Sequence, residues 1–468
     1  MVAIQETELK QGIFNGIARA KGRSQSILVS EVHKIEHLDP VDFFAAGREK
    51  YLGERFFWKD PEGKLVLAGL GICGQIQSDQ AADRFFHVEK EWKRFMDSAL
   101  IINKYQRNGM GPTLFGGFSF DPQKQGTALW SKFPEALFQI PKYMLTLSNG
   151  EMFLTTNVIC THHDDLTLFE KVSRERQEVL SKAAMKQSFA QPKLKKMVEI
   201  EPEAWKQAIT HVVKDLKQSE LKKVVLAREL RLHFDEEVQA ERVLVNLLDH
   251  QNDSFTFVLE SNNDCFIGAS PERLVKKEGK SLYSACLAGS IARGNTPEED
   301  DRLGSELLSD QKNLMEHQYV VEMIKEAMEE TCNEVLLPEQ PVLMKMKYIQ
   351  HLYTPVIGKN RAGTSILHLV NRLHPTPALG GLPKQAAIEK IREMEQLDRG
   401  LYAAPVGWMD YQGNGEFAVA IRSGLIQGKE ASLFAGCGVV ADSNAESEYK
   451  ETSIKFRPML TALGGKIT

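Results

Sequence analysis

The sequence predicts an α/β fold with mainly antiparallel sheet and long helices packed outside it. Three observations carry that expectation. Short apolar runs meet at tight-turn dipeptides, as in 140–147, Asn149-Gly150 and 152–158. Longer stretches, such as 203–219 and 314–332, repeat apolar residues at helical spacing. Hydrophobic residues make up 42% of the chain and charged residues 26%, a balance that builds a large core in water. The 468 residues leave room for several units or one composite domain.

The elements follow in chain order. Residues 56–58 and 64–68 flank the turn Asp60-Pro61-Glu62-Gly63 and read as a hairpin. Residues 85–103 read as a helix and 114–120 as a glycine-containing strand. The Asn149-Gly150 hairpin comes next. Lys182, Lys186, Lys193, Lys195 and Lys196, with Pro192 between them, read as a solvated connection between halves rather than a polyanion site. An amphipathic helix at 203–219 precedes strands at 224–232, 255–260, 265–267 and 282–287. Helices at 314–332 and 388–395 follow, then strands at 406–411, 417–426 and 433–435. A final helix covers 445–463.

Composition narrows the function classes. A net charge of -5 gives no electrostatic case for nucleic acid. No apolar run approaches the ~20 residues needed to span a bilayer. Met1 to Glu8 lacks a basic segment followed by an apolar one, so no secretory signal is expected. The six cysteines are scattered singly, which fits reduced thiols in the cytoplasm better than disulfides or a zinc site.

Two motifs invite over-reading. Gly69-Leu70-Gly71-Ile72-Cys73-Gly74 matches G-x-G-x-x-G, but no second strand follows before the next helix. Tight strand packing explains its glycines better than a dinucleotide. Thr161-His162-His163-Asp164-Asp165 looks metal-like in composition, yet consecutive residues cannot all converge on one ion. A surface turn is expected there.

The chemistry concentrates in the second half. Lys223 enters the apolar run Val224-Val225-Leu226-Ala227. A lysine entering an apolar strand risks desolvation, which favours a neutral, basic amine; the alternative is a strand-edge lysine with its head in water. Glu272 follows Ser270-Pro271 after a buried strand and suits a proton donor, or else a surface cap. Glu448, Glu451 and Lys455 share one face of the last helix, as a metal and anion site or as an exposed ion pair. Glu316 lies early in another helix. Magnesium favours one or two carboxylates with waters and substrate oxygens, which suits Glu316 and Glu451. Arg422 interrupts an apolar run, as a carboxylate-binding fork or a buried structural pair. Gly436 and Gly438 form a glycine-rich turn whose amides suit an anion.

These residues resemble the chorismate-utilising enzymes over 201–463. The resemblance rests on Lys-Val-Val-Leu-Ala-Arg at 223–228, Gly-Ala-Ser-Pro-Glu at 268–272 and Leu-Ala-Gly-Ser at 287–290. It continues in Glu-His at 316–317, His-Pro-Thr-Pro-Ala-Leu-Gly-Gly at 374–381 and Arg-Gly-Leu-Tyr-Ala-Ala-Pro-Val-Gly-Trp at 399–408. Ala-Ile-Arg-Ser at 420–423 and the segment 436–455 complete it. The resemblance implies two mainly antiparallel sheets packed face to face with helices outside. Residues 1–198 would be a less specific part of this composite fold, and 199–468 the chorismate-binding catalytic region.

Two positions carry the chemistry within the family. Water-adding members have a lysine where Lys223 stands. Isochorismate synthases have alanine where Ala378 stands, and pyruvate-eliminating or ammonia-adding members typically have threonine. The long N-terminal region resembles the menaquinone-pathway form. The implied reaction is Mg²⁺-dependent isomerisation of chorismate to isochorismate, by water addition at C2 and loss of the C4 hydroxyl. Lys223 would be the base and Glu272 the acid. Glu316 and Glu451 would hold the metal, with Glu448 acting through water. Tyr402, Arg422, Gly436, Lys455 and His351 would bind the substrate beside Ala378. Asn313 departs from the family, which often has an acid there. The expected assembly is a monomer or weak homodimer. Salicylate synthase, or a silent chorismate-binding protein, is the alternative.

Overall fold

The computed structural model describes residues 7–80, 83–346 and 349–465. The segment 1–6, part of the stretch read for a leader, lies outside them. Among the described residues, 21 strands form one continuous network of pairings, and it folds into two layers. The first layer runs Leu100–Ile102, Ile27–Ile35, Glu151–Cys160, Ala136–Ser148, Leu65–Ser78, Arg55–Lys59. It continues through Phe255–Ser261, Asp264–Ser270, Ser423–Gln427, Glu430–Val439, Lys223–Phe234 and Leu194–Glu199. Only its first pairing is parallel.

The second layer starts from the other edge of Ala136–Ser148. It runs through Thr113–Phe118, Pro405–Asp410, Gly415–Val419, Arg273–Glu278, Ser281–Ala292 and Ile349–Asn360. The N-terminal part is therefore woven into the C-terminal part.

Period-two alternation explains why the first layer is apolar on both faces. Phe56, Phe257, Leu259 and Phe266 face the inter-sheet core, while Phe57, Val258 and Ile267 face a second core under the outer helices. Phe56 stacks on Phe115 of the opposite layer at 4.4 Å between ring centroids. Burying each such side chain contributes about 1.5–3 kcal/mol, which fixes the layers as a rigid scaffold.

Several sequence expectations change in detail. The helix expected over 85–103 is Arg84–Asp97, followed by the strand Leu100–Ile102. The basic stretch is not all linker: Lys182 lies in the last turn of the helix Thr167–Ala183, and Lys195 and Lys196 lie in Leu194–Glu199, which covers the far end of the Lys223 strand. The strand expected over 417–426 is two strands, Gly415–Val419 and Ser423–Gln427, broken at Ala420 to Arg422. The helices Ala240–His250, Pro297–Ser309 and Ile366–Leu373 carried no expectation.

Both discounted motifs are structural. Gly69 to Gly74 lies inside the long strand Leu65–Ser78 and opens no helix. A Cβ at Gly69 would sit 2.2 Å from the Phe56 ring. Asp164 accepts from the backbone and hydroxyl of Thr161, both at 2.6 Å, closing a turn. No helix among the described residues is long and apolar enough to cross a membrane.

Candidate active site

Lys223 is the first residue of the strand Lys223–Phe234. Its neighbour Glu430–Val439 passes Gly438 beside it, and the lysine side chain fills the space a Cβ would need: that Cβ would lie 2.5 Å from Lys223 Cε. The amine reaches across to the helix Gln311–Thr331, where Glu316 Oε2 is 3.8 Å away. The neighbouring His317 points into the core, with its ring nitrogens on the Ala288 carbonyl and the Thr354 hydroxyl.

Glu272 occupies the short connection between Asp264–Ser270 and Arg273–Glu278. Its amide donates to Ser270 Oγ at 3.2 Å and its carbonyl accepts from Val419 N at 3.1 Å, so the backbone is pinned. Burial raises its carboxyl to about 7, against the opposing pull of Arg422 and Lys223. At neutral pH this group can therefore give up a proton.

Arg422 stands at the strand break with φ +52°, a conformation costly for a residue with a side chain. Among the described residues its guanidinium has no ion pair within 4 Å and donates no hydrogen bond; burial pulls its pKa down against Tyr402, Glu272 and Glu451. A partly buried fork without a partner among the described residues is a ready receptor for a carboxylate. The structural ion pair that was its alternative is not formed among the described residues.

Tyr402 is buried, and burial pushes its hydroxyl up to about 12. That hydroxyl lies against Gly436, 3.3 Å from where a Cβ would be. His351 receives or gives a 2.6 Å bond with Ser290, and burial beside Arg422 and Lys455 holds its pKa at about 4, so the ring is neutral.

Gly436 and Gly438 belong to the strand Glu430–Val439, not to a turn; the turn is at 441–442, closed by Ser443 N donating to the Val440 carbonyl. They face Ala227 and Val225. Those two residues use their backbone groups on the opposite edge, so the pairs are of the non-bonded kind and the glycine amides point outward. There Lys455 Nζ donates to the Gly436 carbonyl at 2.9 Å.

Glu448, Glu451 and Lys455 line up on the helix Ala445–Ala462 as expected. Glu451 is exposed and pairs with Lys455 at 2.6 Å. Glu448 is half-buried, and its pKa is raised by burial and by the charge of Glu451, while hydrogen bonds from Ser443 and Cys437 oppose the rise. Glu448 and Glu316 line one cavity of about 320 Å³, with Asn313, Gly438 and Ser443 between them. Among the described residues no three His, Cys, Asp or Glu side chains already converge as a metal centre.

Ala378 is partly exposed between buried Pro377 and Leu379, in a loop whose Gly380 carbonyl accepts from Val225 N at 2.9 Å. That bond ties it to the Lys223 strand. A larger cavity, about 930 Å³, is lined by Trp130, Glu135, Gln139 and Asp398 and holds none of these residues. Sequence reasoning missed Cys437 and Ser290, whose contacts with Glu448 and His351 cross between elements, and Ser443, which bonds Glu448 from the turn just before the last helix.

The comparison with known proteins meets this geometry. Residues 15–464 match the family described as chorismate binding enzyme. The chain belongs to that family. It is 45% identical to the isochorismate synthase MenF of Bacillus subtilis, with 100% of both chains covered. It is 34% identical to the salicylate biosynthesis isochorismate synthase of Pseudomonas aeruginosa, over 97% of this chain and 95% of that one. The menaquinone-specific isochorismate synthase of Escherichia coli has the same fold, with a TM-score of 0.78 at 22% identity, covering 97% and 99% of the chains. The face-to-face antiparallel layers expected from the resemblance are thus the architecture of this chorismate-binding chain.

Proposed function

We propose that the chain is an isomerase that converts chorismate to isochorismate, in the service of menaquinone synthesis. The 45% identity to an isochorismate synthase over the full length supports the reaction class, and the fold shared with a menaquinone-specific isochorismate synthase suits that pathway. The observation that carries the mechanism is the pairing of opposite proton roles. Burial raises Glu272 to about 7, so it still carries a proton in part at neutrality, and it feels the charge of the Lys223 amine rooted on another strand.

Lys223 takes a proton from water as the oxygen attacks C2. The ring double bonds shift and the C4–O bond breaks. Glu272 gives its proton to the departing hydroxyl, so one water enters and one leaves. Arg422, Tyr402 and the outward amide at Gly436 hold the enolpyruvyl carboxylate. Lys455 neutralises the ring carboxylate, and neutral His351 packs beside it. Ala378 offers a methyl, so nothing there turns the enolpyruvyl group toward elimination.

The donor set fits a hard cation. It is all carboxylate: Glu448 and Glu451 repel each other on one helix, and Glu316 faces Glu448 across their shared cavity. Glu316 and Glu451 would hold Mg²⁺, with Glu448 through water. When bound, the ion supplies charge neutralisation at the ring carboxylate. Asn313 supplies an amide to this cavity, bonded to Asp310 at 3.0 Å.

We read residues 1–198 as scaffold and 199–468 as the chemical half, working in the cytoplasm as a monomer or weak homodimer. The six free thiols support a reducing compartment. Purified protein given chorismate and Mg²⁺ should yield isochorismate on chromatography. Salicylate with stoichiometric pyruvate as the main products would replace this reading with the lyase.

A further inference from the structure

The strand Lys223–Phe234 has a gap along its outer edge. Gly381–Leu382 pairs only with Val224 and Lys223, and Leu194–Glu199 covers only 230–234. Beyond Val225 N, which donates to the Gly380 carbonyl at 2.9 Å, the outward-facing Val225 O and Ala227 N meet no strand. Two side chains take the place of one. Arg399 Nη2 donates to Val225 O at 2.7 Å, and Glu395 Oε1 accepts from Ala227 N at 2.6 Å.

The same pair reaches further. Arg399 Nε donates to Glu395 Oε2 at 2.9 Å, and Nη1 donates to Leu379 O at 3.1 Å. The Arg399 carbonyl accepts from Tyr402 N at 2.8 Å. Both side chains are almost wholly buried, at 3% and 2% exposure. A bare ion pair gains little from such burial. Here the bonds that leave the pair end beside proposed site residues: Val225 and Ala227 on the Lys223 strand, Leu379 next to Ala378, and the amide of Tyr402, which the Arg399 carbonyl accepts.

We propose that the Arg399–Glu395 pair is a positioning device, a two-residue surrogate strand that sets Lys223, Ala378 and Tyr402 in one frame. It touches no substrate and acts through those residues, so the proposal rests on the reading of Lys223 as the base. Its loss should misplace the amine by a fraction of an ångström and slow the chemical step more than it weakens binding.

The test compares four variants with the wild type. Arg399→Lys keeps the charge, but one ammonium cannot reach Val225, Leu379 and Glu395 together. Its kcat should fall about 10²-fold while KM for chorismate stays within about threefold. Arg392→Ala is the structural control: it breaks the bidentate pair with Asp121 nearby and leaves the Lys223 strand untouched, so kcat should be unchanged. Should Arg399→Lys fail to fold, Glu395→Gln keeps an acceptor for Ala227 and should lose about tenfold in kcat. A kcat within twofold of wild type, or an equal loss in Arg392→Ala, overturns the proposal. Lys223→Ala separates the two readings. If it stays active, the base assignment falls; if it is silent while Arg399→Lys is fully active, only the positioning role falls.

Discussion

Lys223 crosses the strand Glu430–Val439 through the space left open at Gly438, where a Cβ would stand 2.5 Å from Lys223 Cε and 3.2 Å from Nζ. The glycine is thus the channel by which an amine rooted on one strand reaches the Glu316 helix.

Gly438→Ala follows directly. The added methyl meets the flexible end of a lysine, not backbone, so folding should cost little. The amine must move, and turnover should fall about 10²-fold with thermal stability nearly unchanged. Thermal melts beside steady-state rates check this. A rate equal to wild type would place the working amine elsewhere.

Lys223→Ala removes the amine itself. The expected loss is about 10²–10⁴-fold in kcat in a protein with wild-type circular dichroism. Near-normal turnover in that variant would falsify the base assignment.

Glu272 predicts a pH dependence of both rate and stability. Its acid form is the reactive one, so activity should decline as pH rises through about 7. Its folded value lies above the unfolded one. The contribution to stability is therefore complete below about 4.5 and is lost as pH rises through about 7. Glu272→Gln should be inactive, yet lose less stability between pH 5 and pH 8 than wild type. Denaturant midpoints at the two pH values measure this, and parallel curves would contradict it.

Chelation should stop turnover, and Mg²⁺ should restore it. Glu451→Ala should weaken Mg²⁺ and chorismate together, because each offsets the charge of the other. Calorimetric titration of each ligand, with and without its partner, reads the coupling. Full activity in metal-free protein would remove the carboxylate site from the mechanism.

Ala378→Thr should raise the fraction of turnovers that release pyruvate. The new hydroxyl can hydrogen-bond and reorient the enolpyruvyl group for elimination. Product chromatography with a separate pyruvate assay reads the fraction. If activity persists with an unchanged product ratio, the alanine is not what favours isomerisation over elimination.

Much of the scaffold was legible because its signals are local. Asn149 and Gly150 both adopt positive φ at the hairpin tip, as their residue types require. The apolar spacing of 203–219 became the helix Pro202–Gln218. Arg422 shows where local reading stops. A polar residue inside an apolar run was visible, but the strand break and the left-handed backbone were not. They depend on Ala404 and Val419, whose backbones pair with Ala420 and Ile421 across the turn.

The sequence by itself determined the alternation that makes both faces of the first sheet apolar, the helical face shared by Glu448, Glu451 and Lys455, and the motif order that marks the family. Each depends on residues a few positions apart, where backbone geometry alone sets the relation. Only the tertiary structure decided that Gly438 makes room for Lys223, that Arg422 has no carboxylate within 4 Å among the described residues, and that Arg399 and Glu395 complete the edge of the Lys223 strand. Those relations join residues some 170 to 215 positions apart. They exist because two sheets closed over one core, bringing together groups that no local rule connects.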